Sequence, residues 1–163
     1  MTSEDKRSKK LTVVAHCILN QNSRVSGLAH CPATIPEIVE TLQKRNVALF
    51  QLPCPELIYC GANRSRKTRE EYDTKEYRQC CRRIAASAVK QLEELLKENV
   101  RIIAILGIKN SPTCETENST TEVGILMEEL MFAMKKKGIT IPNHSLSVKR
   151  ISDTIKWLET AMK

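Results

Sequence analysis

Three of the seven cysteines stand just past runs of aliphatic and β-branched residues. Cys17 follows Leu11-Thr-Val-Val-Ala15, and Cys54 follows Val47-Ala-Leu-Phe-Gln-Leu52. Cys114 lies in the Gly-, Asn-, Ser-, Pro- and Thr-rich stretch after Val100-Arg-Ile-Ile-Ala-Ile-Leu106. Such runs are expected strands. If the strands are parallel, the three following turns rise from one sheet edge and their thiols share a crevice. Three thiolates suit a 4Fe–4S cluster, because cysteine is its usual protein ligand. The iron left without a protein ligand can then act as a Lewis acid. Zinc is the alternative, held by three cysteines plus a histidine or water, although the chain has no Cys-x-x-Cys pair. A third option is a catalytic cysteine served by His16, His30 or His144 as base. In an extended segment His16 would point away from Cys17, so it is read as a packing or supporting residue.

The other cysteines carry weaker expectations. Cys31 and Cys60 are candidate alternative ligands, Cys31 from a loop before a helix and Cys60 from its closeness to Cys54 in the chain. Cys80 and Cys81 fall inside an expected helix, where at least one should pack in the core.

The elements that must position these residues alternate between strand and helix. Pro36 opens a helix carried by Ile38, Val39 and Leu42 and ending near Asn46. Residues 55–72 read as a long polar loop rich in arginine. A long helix runs from about Thr74 to Glu98, with Ile84, Ala88, Leu92 and Leu95 at helical spacing. The run from Val100 to Leu106 is nearly all apolar, as a central parallel strand covered on both faces requires. Thr121 or Glu122 opens a further helix, closed by Gly138 after three lysines. Ile139-Thr-Ile141 is a fourth expected strand, and Val148 to Met162 a terminal helix. The fold class expected is α/β: a single-domain three-layer α/β/α sandwich with a mainly parallel, flavodoxin- or Rossmann-like sheet of about four strands in the order 2-1-3-4. Residues 1–10 read as a disordered tail and 11–163 as the one domain. Ligands bind such sheets beyond the carboxyl ends of the strands, where the strand order reverses.

The residues around the three cysteines carry a resemblance. His16-Cys17-Ile-Leu-Asn20 with Arg24 and Gly27, then Cys54-Pro55-Glu56, then Ser111-Pro112-Thr113-Cys114 resemble, in order, three motifs of the thiouracil desulfidase family. The resemblance covers Leu11 to about Cys114. It implies an enzyme that removes sulfur from a thiocarbonyl compound with a 4Fe–4S cluster on Cys17, Cys54 and Cys114. It further implies Glu56 and Ser111 as catalytic residues; Asn20 and Arg24 from the first motif, and Arg64 and Arg66 from the basic loop, are the residues expected beside the substrate. Glu56 would take a proton from the attacking water, and Ser111 would orient that water or a ring nitrogen. Read from the residues alone, Glu56 is equally a surface acid paired with nearby arginines, and Ser111 a loop cap before Pro112. The chain departs from the family at Asn20 and Glu115, where glycine is common. It also departs in Arg24-Val-Ser-Gly27, and in Gly61-Ala-Asn-Arg64-Ser-Arg66, which replaces a proline-arginine motif. It therefore resembles a divergent, desulfidase-related branch.

Composition sets the outer bounds. The chain has 163 residues, enough to bury a core without disulfides. No stretch approaches the about 18 apolar residues of a membrane span. Met1 to Lys10 is charged, without the apolar centre of a secretory signal. A cytoplasmic protein with reduced thiols is expected. The net charge of +7 is interleaved with acids, so solvated surface is the default, and nucleic acid is a lesser expected partner than a small thiocarbonyl molecule. Arg64, Arg66, Lys67 and Arg69 can bind an anionic substrate or form a lid. Tyr72 and Tyr77 can stack on a heterocycle or pack between helices. Two functions compete with a desulfidase: a non-catalytic metal- or cluster-binding redox sensor, and an RNA-associated module acting on thiolated nucleotides. The oligomeric state is not encoded in any of these features.

Overall fold

The computed structural model describes residues 4–118 and 121–163. Its centre is a four-stranded sheet of β1 (Lys10–Val14), β2 (Ala48–Gln51), β3 (Arg101–Ile108) and β4 (Asn143–Leu146), ordered β2-β1-β3-β4 with every neighbouring pair parallel. This is the architecture expected from the sequence. β3 sits centrally and is buried from Ile102 to Ile108. Such two-sided burial explains its unbroken aliphatic run.

Among the described residues the strands are accompanied by α1 (His16–Leu19), α2 (Pro36–Lys44), α3 (Pro55–Cys60), α4 (Arg69–Tyr72), α5 (Lys75–Lys97), α6 (Ile125–Lys136) and, after β4, α7 (Ile151–Ala161). α2 packs with α7, and α5 packs along α6. In α5 the buried residues Tyr77, Cys81, Ile84, Ala85, Ala88, Val89 and Leu92 recur at helical spacing and form one stripe. The Thr74 hydroxyl caps its start by accepting from the Tyr77 N–H at 3.2 Å. α6 closes on Gly138, whose φ of 69° lets Ile139 N–H reach the Met134 carbonyl at 3.0 Å. Arg78 ties α5 to α6 through Glu128 (2.9 Å) and Glu129 (3.0 Å).

Several boundaries differ from those expected. The loop over 55–72 contains α3 and α4, each started by a side-chain cap. Cys54 Sγ accepts from Leu57 N–H, and Thr68 forms a reciprocal capping box with Glu71. α6 begins at Ile125 rather than at Thr121 or Glu122. The fourth strand is not Ile139 to Ile141. The ladder starts where the Pro142 carbonyl accepts from Ile105 N–H and continues over Asn143–Leu146. Residues 139–141 instead bring the chain back from the end of α6. Of the tail over 1–10, Met1 to Ser3 lie outside the described residues, and Lys10 is the first residue of β1. No described helix is long and apolar enough to cross a membrane.

Candidate functional site

Cys17, Cys54 and Cys114 line one open cavity of about 1220 Å³ past the carboxyl ends of β1, β2 and β3. Each arrives on a different local device. Cys17 sits on the single helical turn α1, which begins as β1 ends. Because this turn is helical, His16 and Cys17 both line the cavity, and the opposed orientation expected of an extended segment does not hold. His16 Nδ1 lies 3.2 Å from the Leu52 carbonyl, which tethers α1 to the end of β2. Cys54 is the N-cap of α3, so its sulfur lies at the helix start, 3.4 Å from the Leu57 N–H.

Cys114 is held most closely. The Ser111 hydroxyl oxygen accepts from Cys114 N–H at 2.9 Å and from Thr113 N–H at 3.2 Å. The Cys114 carbonyl accepts from Ile108 N–H at 2.9 Å. Two glycines make room for this turn. A Cβ on Gly107 would collide with the Cys114 carbonyl oxygen, and one on Gly124 with the Thr113 carbonyl. Gly107→Ala is therefore expected to lower stability by about 3 kcal/mol through overpacking, read as an earlier melting midpoint of the metal-free chain. An unchanged midpoint would show that the turn yields without cost.

All seven cysteines are free. Burial raises the Cys17 and Cys54 thiol pKa values above the usual range and raises that of Cys114 well above it. The charges of Cys17, Cys54 and Glu56 reach Cys114 and push it in the same direction. The Arg24 guanidinium, 3.9 Å from Cys17 Sγ, partly opposes the shift there. A cation bound beside these thiols would favour their thiolate forms against that shift. Among the described residues, no three His, Cys, Asp or Glu side chains stand close enough together to hold one metal ion.

Glu56 lies in the same cavity, clamped from two sides. Its Oε2 accepts from Arg64 Nε at 3.1 Å, and its Oε1 accepts from the Thr113 hydroxyl at 2.7 Å. Arg64 also donates to the Ser23 carbonyl at 2.8 Å and to the Gly61 carbonyl at 3.1 Å. With side chains 4% and 12% exposed, Arg64 and Glu56 form a buried ion pair. The residues expected beside the substrate thus separate. Arg24 and Arg66 line the cavity, and Arg64 lines it while committed to Glu56. Asn20 is not on the cavity wall. Its Oδ1 accepts from Asn22 N–H at 3.1 Å and caps the short turn Gln21–Ser23. Lys67 and Lys109 add positive charge to the lining.

The other cysteines stand apart. Cys31 donates to the Thr34 carbonyl at 3.3 Å, and neither it nor Cys60 lines the cavity. Cys81 is buried in the core, where burial pushes its pKa up to about 12. Tyr72 and Tyr77 are buried and stack on one another with centroids 4.7 Å apart, so the reading as a stacking surface for a heterocycle gives way to helix packing. Sequence reasoning missed what they pack behind. The Tyr77 hydroxyl lies 2.7 Å from Thr113 Oγ1, immediately behind Glu56. Among the described residues the Tyr72 hydroxyl is buried with no partner inside hydrogen-bond distance, yet it lies near enough to Glu56 for that carboxylate to help raise its pKa.

The uncharacterized protein MJ0003 of Methanocaldococcus jannaschii is 42% identical to this chain over 159 residues, 96% of this chain and 99% of that protein. No family model matches the chain. No solved structure matches it.

Proposed function

The chain belongs to the same family as that archaeal protein, and from the cavity itself we propose that it is an iron–sulfur-cluster-dependent desulfidase acting on a small thiocarbonyl compound. The observation that carries this reading is the meeting of three half-buried thiols, none in a disulfide, and one clamped carboxylate on a single cavity wall. The donor set fits the group. Cys17, Cys54 and Cys114 would hold a 4Fe–4S cluster, whose ligands are separate thiolates around a body larger than one ion. Zinc remains the alternative metal; with a water as fourth ligand it would draw the three sulfurs to one point, closer than any three such side chains stand among the described residues. The chemistry supplied by a cluster on three cysteines is Lewis acidity at the iron that lacks a protein ligand.

The chain's own residues supply the rest. Glu56 keeps one lone pair on each oxygen after the bonds from Thr113 and Arg64, so it can take a proton from water. Ser111 accepts two backbone N–H groups and retains its hydrogen, which it can donate to a substrate nitrogen or to the attacking water. Arg24, Arg66, Lys67 and Lys109 line the cavity beside Glu70, Glu71 and Glu122, and these basic groups can meet an anionic substituent. In net terms the oxygen of water replaces sulfur at carbon and hydrogen sulfide leaves, with no net oxidation or reduction. Seven free thiols suit a reducing cytoplasm, where we place the protein.

The test is anaerobic reconstitution followed by sulfide release from a panel of thiocarbonyl compounds. Brown protein with about four irons per chain and sulfide release above that of free cluster salts supports the proposal. Colourless zinc protein, or a full cluster with no turnover on any panel member, would overturn it; the latter outcome favours a sensor.

A further inference from the structure

The clamp on Glu56 has a direction. A carboxylate has no hydrogen to give, so the 2.7 Å contact must be a donation from the Thr113 hydroxyl to Oε1. Thr113 has only one hydroxyl hydrogen. Its 2.7 Å contact with Tyr77 must then be a donation from the tyrosine. Both hydroxyls belong to buried residues, Tyr77 at 0% and Thr113 at 1% exposure. The relay therefore runs Tyr77 to Thr113 to Glu56 and ends on the side of the carboxylate opposite Arg64.

We propose that Thr113 is a positioning residue for the reaction at Glu56, with Tyr77 behind it fixing the direction of its hydroxyl; the inference rests on Glu56 being the proton acceptor. The terminal torsion of glutamate is soft and has no strongly preferred value. A carboxylate held only by Arg64 could turn its lone pairs away from the cavity. Donors on both oxygens stop that rotation. Thr113 suits the task because its backbone is fixed: its carbonyl accepts from Leu126 N–H at 3.0 Å, and Gly124 packs against it. Thr113 also directly precedes Cys114, so one short segment sets the positions of a thiol ligand and of the carboxylate. Tyr77 extends the alignment to the 23-residue helix α5.

The experiment compares Thr113→Val, Thr113→Ser and Tyr77→Phe in the anaerobically reconstituted full chain. Thr113→Val keeps the shape and removes the hydroxyl. Its kcat should fall about tenfold to a hundredfold, with KM within about twofold and iron content as in the parent. Thr113→Ser should recover kcat to within about threefold, and Tyr77→Phe should lower it by about threefold to tenfold. The double variant Thr113→Val/Tyr77→Phe leaves no buried hydroxyl stranded, and should be no slower than Thr113→Val alone. A second readout needs no cluster. In the metal-free chain, the infrared carboxylate stretch isolated as parent minus Glu56→Gln should shift in Thr113→Val and return in Thr113→Ser. The proposal is overturned if Thr113→Val keeps its kcat, if Thr113→Ser is as slow as Thr113→Val, or if iron is lost in parallel with activity. Full activity in Glu56→Gln would instead sink the proton-acceptor reading, while the infrared comparison still tests the hydrogen bond.

Discussion

Cys114→Ala, purified and reconstituted without oxygen, should hold less than about one iron per chain where the parent holds about four. The same treatment of Cys31→Ala should leave the iron content unchanged. The contrast follows from placement. Cys114 is on the cavity wall within electrostatic reach of Cys17, Cys54 and Glu56. Cys31 is turned to the Thr34 carbonyl outside that wall. Losing one half-buried sulfur should move the melting midpoint of the metal-free chain by only a few degrees, so loss of iron would not be loss of fold. A pH dependence accompanies this. Burial holds the three thiols above their usual pKa values, and each must lose its proton to bind metal. Iron uptake should therefore be more complete at pH about 8.5 than at about 6.5. Equal iron in the Cys114→Ala and Cys31→Ala proteins would remove the three-thiol site from consideration.

Glu56→Gln should lower kcat by about a hundredfold to ten-thousandfold while the iron content stays at the parental value. Glutamine preserves the shape and still accepts from Thr113, but it cannot take a proton from water. The same change strands Arg64, whose side chain is 4% exposed and whose only ionic partner among the described residues is Glu56. A buried charge without its counter-charge costs about 3 kcal/mol or more. Stability and activity should then separate. Adding Arg64→Met to Glu56→Gln removes the stranded charge and should restore much of the melting midpoint, but none of the turnover. If the double variant recovers turnover together with stability, Glu56 serves the fold and not the reaction.

Much of the frame could be read from the residues. The aliphatic run Val100 to Leu106 announced a strand buried on both faces, and the cysteines placed just after three such runs announced a shared sheet edge. The spacing of Ile84, Ala88 and Leu92 likewise gave away the buried stripe of α5. What escaped had a local or a long-range cause. α3 and α4 are only six and four residues long and are started by the caps Cys54 and Thr68, so they are too short to present an apolar period. The Thr68-Arg-Glu-Glu71 capping signature was present but short. Ile139-Thr-Ile141 has strand-like composition, but the β3–β4 register starts opposite Asn143. Composition carries no information about which segment finds a neighbour. Pairing of Glu56 with a nearby arginine was one reading of the residues, but their order in the chain does not say that Arg64, rather than Arg66 or Arg69, is the partner. Tyr77 and Thr113 meet only because α5 and the turn after β3 pack together.

The parallel order β2-β1-β3 also fixes a sequence of events. Cys17, Cys54 and Cys114 lie on turns of three separate strands, and no hairpin brings any two of them together early. The cavity cannot exist before β3, made late in synthesis, has docked beside β1 and completed the centre of the sheet. Iron delivered to a half-made chain would meet scattered thiols rather than a pocket. If the three thiols hold the proposed cluster, its insertion follows folding, and iron content then records which molecules finished.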